Sequence, residues 1–174
     1  MTTSTVLKKI LIGTAGAVFV TGFAVQEKAV AVGITVLNSG FESPAAPYHP
    51  DNGLYYSVND ISSWQISQGG SAGVFNPGAS QASRGVISQP VPDGAQIAYN
   101  NGGTISQQLS TNLAPNTTYT LSLYVGRRND ISFPGYNVEL LAGGTVLASN
   151  NSVTPNSGTF APISFTYTSA GWQK

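Results

Sequence analysis

Cysteine is absent from this chain of 174 residues, which excludes disulfides, thiol nucleophiles and zinc–thiolate sites. His49 is the only histidine, so metal sites built from several histidines are excluded as well, although a Ser-His-Asp triad is not. Charged residues make up only 8% of the chain, and seven Lys and Arg balance seven Asp and Glu. A protein that binds nucleic acid through its phosphates needs a basic field, which this neutral chain lacks. Nucleic acid is therefore not an expected partner.

Recognisable catalytic motifs are scarce too. The chain has no G-x-S-x-G nucleophile elbow, and no phosphate-binding Lys follows Gly102-Gly103 or Gly143-Gly144. His49 lies in a proline-rich segment, where it is most simply a solvated side chain. What the chain does have is 20 Gly, 10 Pro and a hydrophobic fraction of 41%. This composition predicts a folded protein with many turns between short strands, and it argues against disorder.

Residues 1–31 have the pattern of a secretory signal peptide. Lys8 and Lys9 precede an apolar run that reaches Val25, and Ala29-Val30-Ala31 then supplies the A-x-A pattern of a cleavage site. The alternative is a hydrophobic helix in the core, since the run is too short to span a bilayer and stop there. Cleavage after Ala31 would leave a chain with four basic and six acidic residues. We expect a protein exported to the periplasm or the extracellular space, with no membrane anchor once the leader is removed.

Residues 32–174 are predicted to form one all-β domain. Period-two alternation is clearest over residues 117–125, where Tyr119, Leu121, Leu123 and Val125 alternate with polar residues. Residues 44–59 and 69–81 are predicted to be loops, and the second of them carries Phe75. The predicted strands cover residues 32–37, 61–66, 95–99, 117–125, 136–140, 145–148 and 160–168. Many short strands separated by turns indicate an antiparallel β-sandwich, and their spacing fits a jelly roll.

The carboxylates are few, and many aromatic residues fall outside an obvious core face. Glu42 lies between Phe41 and Pro44 just after the first predicted strand. It is either an exposed loop acid or a ligand for Ca²⁺, which prefers oxygen ligands. Aromatic residues in loops can form a flat platform for sugars or stabilise a carbocation, although core packing is the simpler role for most of them. We expect at least two of the following to line one pocket: Tyr48, Tyr55, Tyr56, Trp64, Phe75, Tyr99, Tyr124, Phe133 and Tyr136.

Several motifs together resemble a group of exported cyanobacterial β-sandwich proteins built like carbohydrate-binding modules. This group includes the Stig cyclases of hapalindole, fischerindole and welwitindolinone biosynthesis. The resemblance covers roughly Ile34 to Tyr167. The motifs are Val36-Leu-Asn-Ser-Gly-Phe-Glu-Ser-Pro44, Val91-Pro-Asp-Gly-Ala-Gln-Ile-Ala-Tyr99, Gly103-Thr-Ile-Ser-Gln107, Asn116-Thr-Thr-Tyr-Thr-Leu121, Val125-Gly-Arg127, Phe133-Pro-Gly-Tyr136 and Leu141-Ala-Gly-Gly-Thr-Val-Leu-Ala148.

The resemblance implies a calcium-stabilised jelly roll that acts as a homodimer or as a hetero-oligomer with related chains. Its substrate would be a small aromatic terpenoid, a geranylated indole isonitrile. The reaction would be a Cope rearrangement, followed by cyclisation and attack of the indole ring on the cation. By position in the motifs, Glu42 matches the calcium ligand, and Tyr99 and Phe133 match catalytic aromatic residues. The substrate-binding residues implied are Trp64 and Phe75, together with Tyr99 and Phe133.

The chain departs from the family pattern at its end. In the family, a final strand carries a motif like Asn-Phe-Asp-Asn-Val, whose Asp is the expected acid, whereas this sequence stops at Lys174. The resemblance therefore implies a domain truncated at the C-terminus, lacking its last strand, and none of the remaining acids is an obvious substitute. Two hypotheses follow: a cyclase of indole alkaloid biosynthesis, or a non-catalytic exported carbohydrate-binding or cell-envelope module. A purely structural exported protein would need only the fold.

Overall fold

The computed structural model of the protein describes residues 7–11, 16–22, 32–67, 70–78 and 85–170. Within these ranges the regular elements are all β-strands, and no helix there is long and apolar enough to cross a membrane. The strands are, in chain order, β1 (Leu7–Leu11), β2 (Gly16–Gly22), β3 (Val32–Ile34), β4 (Tyr48–His49), β5 (Leu54–Tyr55), β6 (Gln65–Ser67), β7 (Ser71–Phe75), β8 (Ile97–Asn101), β9 (Thr104–Gln107), β10 (Thr117–Gly126), β11 (Val138–Ala142), β12 (Thr145–Asn150) and β13 (Phe160–Thr168).

These strands form two larger sheets and two hairpins. The first sheet has the strand order β12-β11-β1-β9-β6, and the second has the order β13-β10-β2-β3. Strands β4 and β5 form one two-stranded sheet, and β7 and β8 form the other. Every pairing between these strands is antiparallel. The predicted all-β antiparallel class is confirmed, whereas the jelly-roll connectivity stays a prediction.

The core lies between the two larger sheets, and β10 shows why its sequence folds as it does. Tyr119, Leu121, Leu123 and Val125 are each 3% exposed or less, as their alternation predicts. They belong to one buried cluster with residues of the other sheet, including Val138 and Leu140 of β11 and Ile105 of β9. On its outer edge β10 pairs with β13 over nine consecutive positions.

Two predicted loops contain strands. Residues 44–59 hold the short β4–β5 hairpin, and residues 69–81 hold β7, which pairs with β8 from Ser71↔Asn101 to Phe75↔Ile97. The prediction of a loop for β7 was wrong because its glycines were taken as turn residues. Gly73 is glycine for another reason: a Cβ there would collide with the backbone carbonyl of Ser57, so the two segments approach closely only without one.

The N-terminal strands β1 and β2 hold interior positions of the two larger sheets. Strand β1 lies between β11 and β9, and β2 pairs with β10 from Thr117↔Gly22 to Leu123↔Gly16. The predicted cleavage site at Ala29–Ala31 and the chain end from Gly171 to Lys174 lie outside the described residues. The assignment of residues 1–31 as a leader, and of 32–174 as the domain, stays a prediction.

Candidate functional site

A cavity of about 1050 Å³ opens among the described residues. Its lining comes from strands β7, β8 and β9, from the segment between Asn52 and Val58, from Ile87, and from the end of β10 with the loop that follows it as far as Glu139 of β11. A cavity of this size is at the upper end of the range for small-molecule sites, about 300–1,000 Å³. Its aromatic lining residues are Tyr56, Phe75, Tyr99, Phe133 and Tyr136. The expectation that at least two of the aromatic residues line one pocket is therefore met.

Strand β8 places Tyr99 in this pocket with its hydroxyl already bonded. The hydroxyl donates to the backbone carbonyl of Ser57 at 2.8 Å, and the ring meets that of Tyr56 edge-on, with centroids 6.5 Å apart. Partial burial, together with the neighbouring Tyr56, raises the pKa of Tyr99 above its ordinary value. Tyr99 is therefore a neutral phenol near neutral pH and presents its ring, rather than a base, to a ligand.

Phe75 and Phe133 reach the pocket from different elements. Phe75 ends β7 and is 7% exposed, in a small cluster with Ile87, Ile97 and others at one side of the cavity. Phe133 lies in the loop after β10, partly buried, with its ring centroid 6.2 Å from that of Tyr136. The Tyr136 hydroxyl accepts a hydrogen bond from the backbone N–H of Val153 at 3.2 Å, which fixes this part of the loop.

Trp64 does not join the other three predicted substrate-binding residues. It is 7% exposed, belongs to the main core cluster and is not among the residues that line the cavity. Its ring lies 5.2 Å from that of Phe41, and its Nε1–H donates to the carbonyl of Asn38 at 3.2 Å. The structure therefore places Trp64 as a core residue that holds the loop after β3, in contrast to the pocket wall predicted from the sequence. A substrate-binding role for Phe75, Tyr99 and Phe133 stays a prediction.

Two charged side chains line the cavity, Arg128 and Glu139. Arg128 forms a bidentate ion pair with Asp130, with Nε at 2.9 Å and Nη2 at 2.6 Å from the carboxylate oxygens. This pair raises the pKa of Arg128 and lowers that of Asp130. Glu139, partly buried in β11, accepts a hydrogen bond at 2.8 Å from the side-chain amide of Asn137. Glu139 is not among the site residues predicted from the sequence.

The sequence pattern of β11 gives part of the information needed to place Glu139 at the cavity. Glu139 alternates with Val138 and Leu140, which are both buried, so it stands on the opposite face of β11. That this face borders a cavity depends on the loop over residues 127–137, whose course no local pattern predicts. For the same reason, the asparagine side chains that line the cavity were not predicted from the sequence. They are Asn52, Asn100, Asn101 and Asn137.

The loop after β3 presents Glu42 at a second location, outside the cavity lining. Phe41 is fully buried and anchors the loop, while Glu42 itself is exposed. Glu42 Oε1 accepts the backbone N–H groups of Ala95 and Gln96, each at 2.8 Å. Gln96 is 4% exposed and its side-chain amide donates back to the carbonyl of Phe41 at 2.9 Å. The glutamate is thus held in place by the segment that precedes β8.

This location has the donor chemistry for a hard cation. A Cβ at Gly40 would lie 3.3 Å from Asp93 Oδ2 and 3.7 Å from Glu42 Cγ, so two carboxylate side chains approach the same glycine. Gly94, with a φ of +67°, also has no room for a Cβ beside the Glu42 carboxylate. Among the described residues, no group of three or more His, Cys, Asp or Glu forms a metal site. Ca²⁺ takes about six to eight oxygen ligands. With two carboxylates at this location, backbone carbonyls and water would have to supply most of the others.

His49, the only histidine, does not itself line the cavity, but it packs against Tyr56, which does. Its ring stacks on Tyr56 at a centroid distance of 4.0 Å, and its Nε2 lies 2.9 Å from the carbonyl of Tyr56. The side chain is partly buried, so the simple expectation of a solvated histidine was wrong. Its contacts fix the β4–β5 hairpin.

The fold and the site define a class: an antiparallel all-β protein with a large cavity that is walled by aromatic rings. A search of curated proteins gives no match to this chain. A family model described as HpiC1-like, HpiC1 cyclase, matches residues 32–174. The chain belongs to the HpiC1-like cyclase family, which confirms the resemblance drawn from its motifs. Membership supports a cyclase role.

Proposed function

We propose that this protein cyclises a geranylated indole isonitrile, by a Cope rearrangement followed by cation cyclisation, in hapalindole-type alkaloid biosynthesis. The observation that carries the proposal is the aromatic cavity in a chain of the HpiC1-like family. Phe75, Tyr99 and Phe133 would bind the substrate, and Tyr99 and Phe133 would act as the catalytic aromatic residues.

The proposed reaction matches what these residues supply. A Cope rearrangement and a cyclisation both reorganise bonds within one molecule, so the product is an isomer of the substrate. Such a reaction benefits from a cavity that holds the flexible substrate with its reacting ends close together and correctly oriented. The developing cation would be stabilised by aromatic faces, at about 0.5–2 kcal/mol for each well-placed ring.

Calcium is part of the proposal as a structural ion. Glu42 and Asp93 would hold it, and it would supply a link between the loop after β3 and the segment before β8. Because both residues lie outside the cavity lining, calcium would act through the fold and not on the substrate. Export to the periplasm or the extracellular space, and assembly as a homodimer or with related chains, complete the proposal.

Incubation of the purified full chain with calcium and the geranylated indole isonitrile tests the proposal. We expect a cyclised product of unchanged mass, separated from the substrate by chromatography and identified by NMR. The cyclase proposal would be contradicted if the folded protein returned only unchanged substrate, both alone and with a full-length family member.

A second candidate function, carbohydrate binding, is favoured by a different surface. Tyr48 and Tyr55 are 54% and 37% exposed, and their rings lie 4.9 Å apart across the β4–β5 hairpin. Exposed aromatic rings form platforms for sugars. Oligosaccharide binding that is lost in Tyr48→Ala, and retained in Phe133→Ala, would favour this function. Buried Trp64 is not suited to such a test.

A further inference from the structure

The cavity lining holds one cationic and one anionic side chain, and only the cationic one has an ionic partner among the described residues. Of its two charged lining residues, Arg128 is matched by Asp130 in the bidentate pair described above. Glu139 has no cationic partner among the side chains that the structure describes, and its hydrogen bond comes from the neutral amide of Asn137. The described walls of the cavity therefore carry one unmatched negative charge.

Strand β11 holds this charge in a fixed place. The neighbours of Glu139 along the strand, Val138 and Leu140, are 0% and 1% exposed and anchor it in the main core. The Asn137 amide restrains the carboxylate further. A partly buried carboxylate loses part of its hydration, and a bound cation offsets that cost.

The aromatic residues that line the cavity also favour a cationic ligand. Tyr56, Phe75, Tyr99, Phe133 and Tyr136 line the cavity together with Glu139. The faces of aromatic rings attract cations, and quaternary ammonium ions are the ligands for which such walls are best suited. The rings offer the apolar part of an organic cation a surface to pack against, which a small inorganic ion cannot use.

We propose that the cavity is a binding site for an organic cation, with Glu139 as its counter-anion and the aromatic rings as its walls. The proposal concerns binding and holds whatever reaction the protein performs. Its link to catalysis, in which Glu139 would face the positive charge of the cyclising intermediate, is the one part that rests on the proposed function.

Two probes of the same shape and different charge test this proposal. Benzyltrimethylammonium is a cation, and neopentylbenzene is its neutral isostere, with carbon in place of nitrogen. Binding of each to the full chain is measured by NMR titration. We expect the cation to bind at least about fivefold more tightly than the isostere, a preference that added salt weakens.

Variants of Glu139 test whether the preference for the cationic probe depends on this residue. In Glu139→Gln we expect the two probes to bind equally well within about twofold, while Glu139→Asp keeps part of the preference. Asp60→Asn, an exposed acid that does not line the cavity, is the matched control and should behave as the parent chain. Thermal melting of each variant shows that the fold is retained.

Two kinds of binding result would contradict the proposal. Equal binding of the two probes by the parent chain, or no binding of either, would exclude an organic-cation site. A preference that survives in Glu139→Gln would assign it to the rings alone and remove Glu139 from its role. A chain that prefers the cation yet does not cyclise the indole isonitrile would retain this site and lose only the proposed function.

Discussion

Gln96 illustrates, at the scale of single residues, how a polar side chain without an evident function positions a functional loop. It is 4% exposed, and its amide nitrogen donates to the carbonyls of Phe41 and Pro44 while its Oε1 accepts from Ala46. Three backbone groups that would otherwise be buried without partners are satisfied by one side chain. Glu42 lies within this loop, so its position depends on a residue whose type carried no signal in the sequence.

Tyr99 carries a prediction that separates its ring from its hydroxyl. Tyr99→Phe removes the hydrogen bond to Ser57 and should lower the free energy of unfolding by about 1 kcal/mol, since a buried carbonyl loses its partner. Turnover should change little, because the ring remains. Tyr99→Leu should lower turnover about tenfold, the rate equivalent of about 1.4 kcal/mol of lost cation stabilisation. Equal turnover in both variants would contradict a catalytic role for the ring.

Glu42 carries the calcium prediction. We expect calcium to raise the Tm of the full chain relative to chelator, and Glu42→Gln to abolish most of that rise because Ca²⁺ loses a charged ligand. The amide Oε1 of Gln can still accept the N–H groups of Ala95 and Gln96, so the chelated variant should remain folded. Asp51→Asn, an exposed acid in the turn between β4 and β5, is the control. A full calcium response in Glu42→Gln would refute the site.

The ion pair between Arg128 and Asp130 predicts a pH dependence. Its hydrogen bonds lower the pKa of Asp130, so its contribution to stability is present above the unfolded pKa of Asp, about 4, and is lost as pH falls through the folded value. The two side chains are 38% and 39% exposed, which limits the contribution to below about 1 kcal/mol. The free energies of unfolding of the parent chain and Asp130→Asn, measured with denaturant, should therefore differ slightly at pH 7 and converge as the pH falls through the folded pKa of Asp130. A constant difference across this range would contradict the assignment.

At the scale of elements, strands with a strong period-two alternation were predicted correctly from the sequence. The prediction failed where a tertiary contact determined the role of a glycine or the burial of a side chain. The alternation of β10 and the Gly143-Gly144 turn between β11 and β12 are confirmed. Strand β7 was missed because Gly73 is required by the approach of Ser57, a contact 16 residues away in sequence. Trp64 was predicted at the pocket wall from the resemblance to the family, whereas the structure buries it against Phe41, directly after Ser63 with its positive φ of +70°.

The interior positions of β1 and β2 give an element-scale prediction. Removal of residues 1–31, as cleavage after Ala31 would do, leaves β9, β11, β10 and β3 with unpaired backbone edges. We expect the chain from Val32 to melt at a lower temperature than the full chain, or to self-associate through these edges. Calorimetry and sedimentation of the two chains measure this. A monomer from Val32 with an unchanged Tm would show that the sheets do not depend on these strands.

At the scale of the whole molecule, the sequence predicted the class of fold and the family, and it predicted three residues that the structure brings to one cavity. Phe75, Tyr99 and Phe133 are far apart in sequence and come from a strand end, a strand and a loop. Tyr99 and Phe133 lie within motifs that resemble the family, whereas Phe75 lies in none of them and was predicted from the resemblance alone. The charge of the cavity could not be predicted, because it depends on Arg128 being matched by Asp130 while Glu139 is not.

The central claim is that the aromatic cavity performs the cyclisation, and one comparison of variants tests it most directly. The kcat/KM of the full chain for the geranylated indole isonitrile is measured beside those of Phe133→Ala and Tyr124→Leu. Tyr124 is an aromatic residue that is 40% exposed on β10 and does not line the cavity. The account predicts a loss of about tenfold or more in Phe133→Ala and no change in Tyr124→Leu. Equal kcat/KM in all three proteins, or no cyclised isomer from any of them, would contradict it.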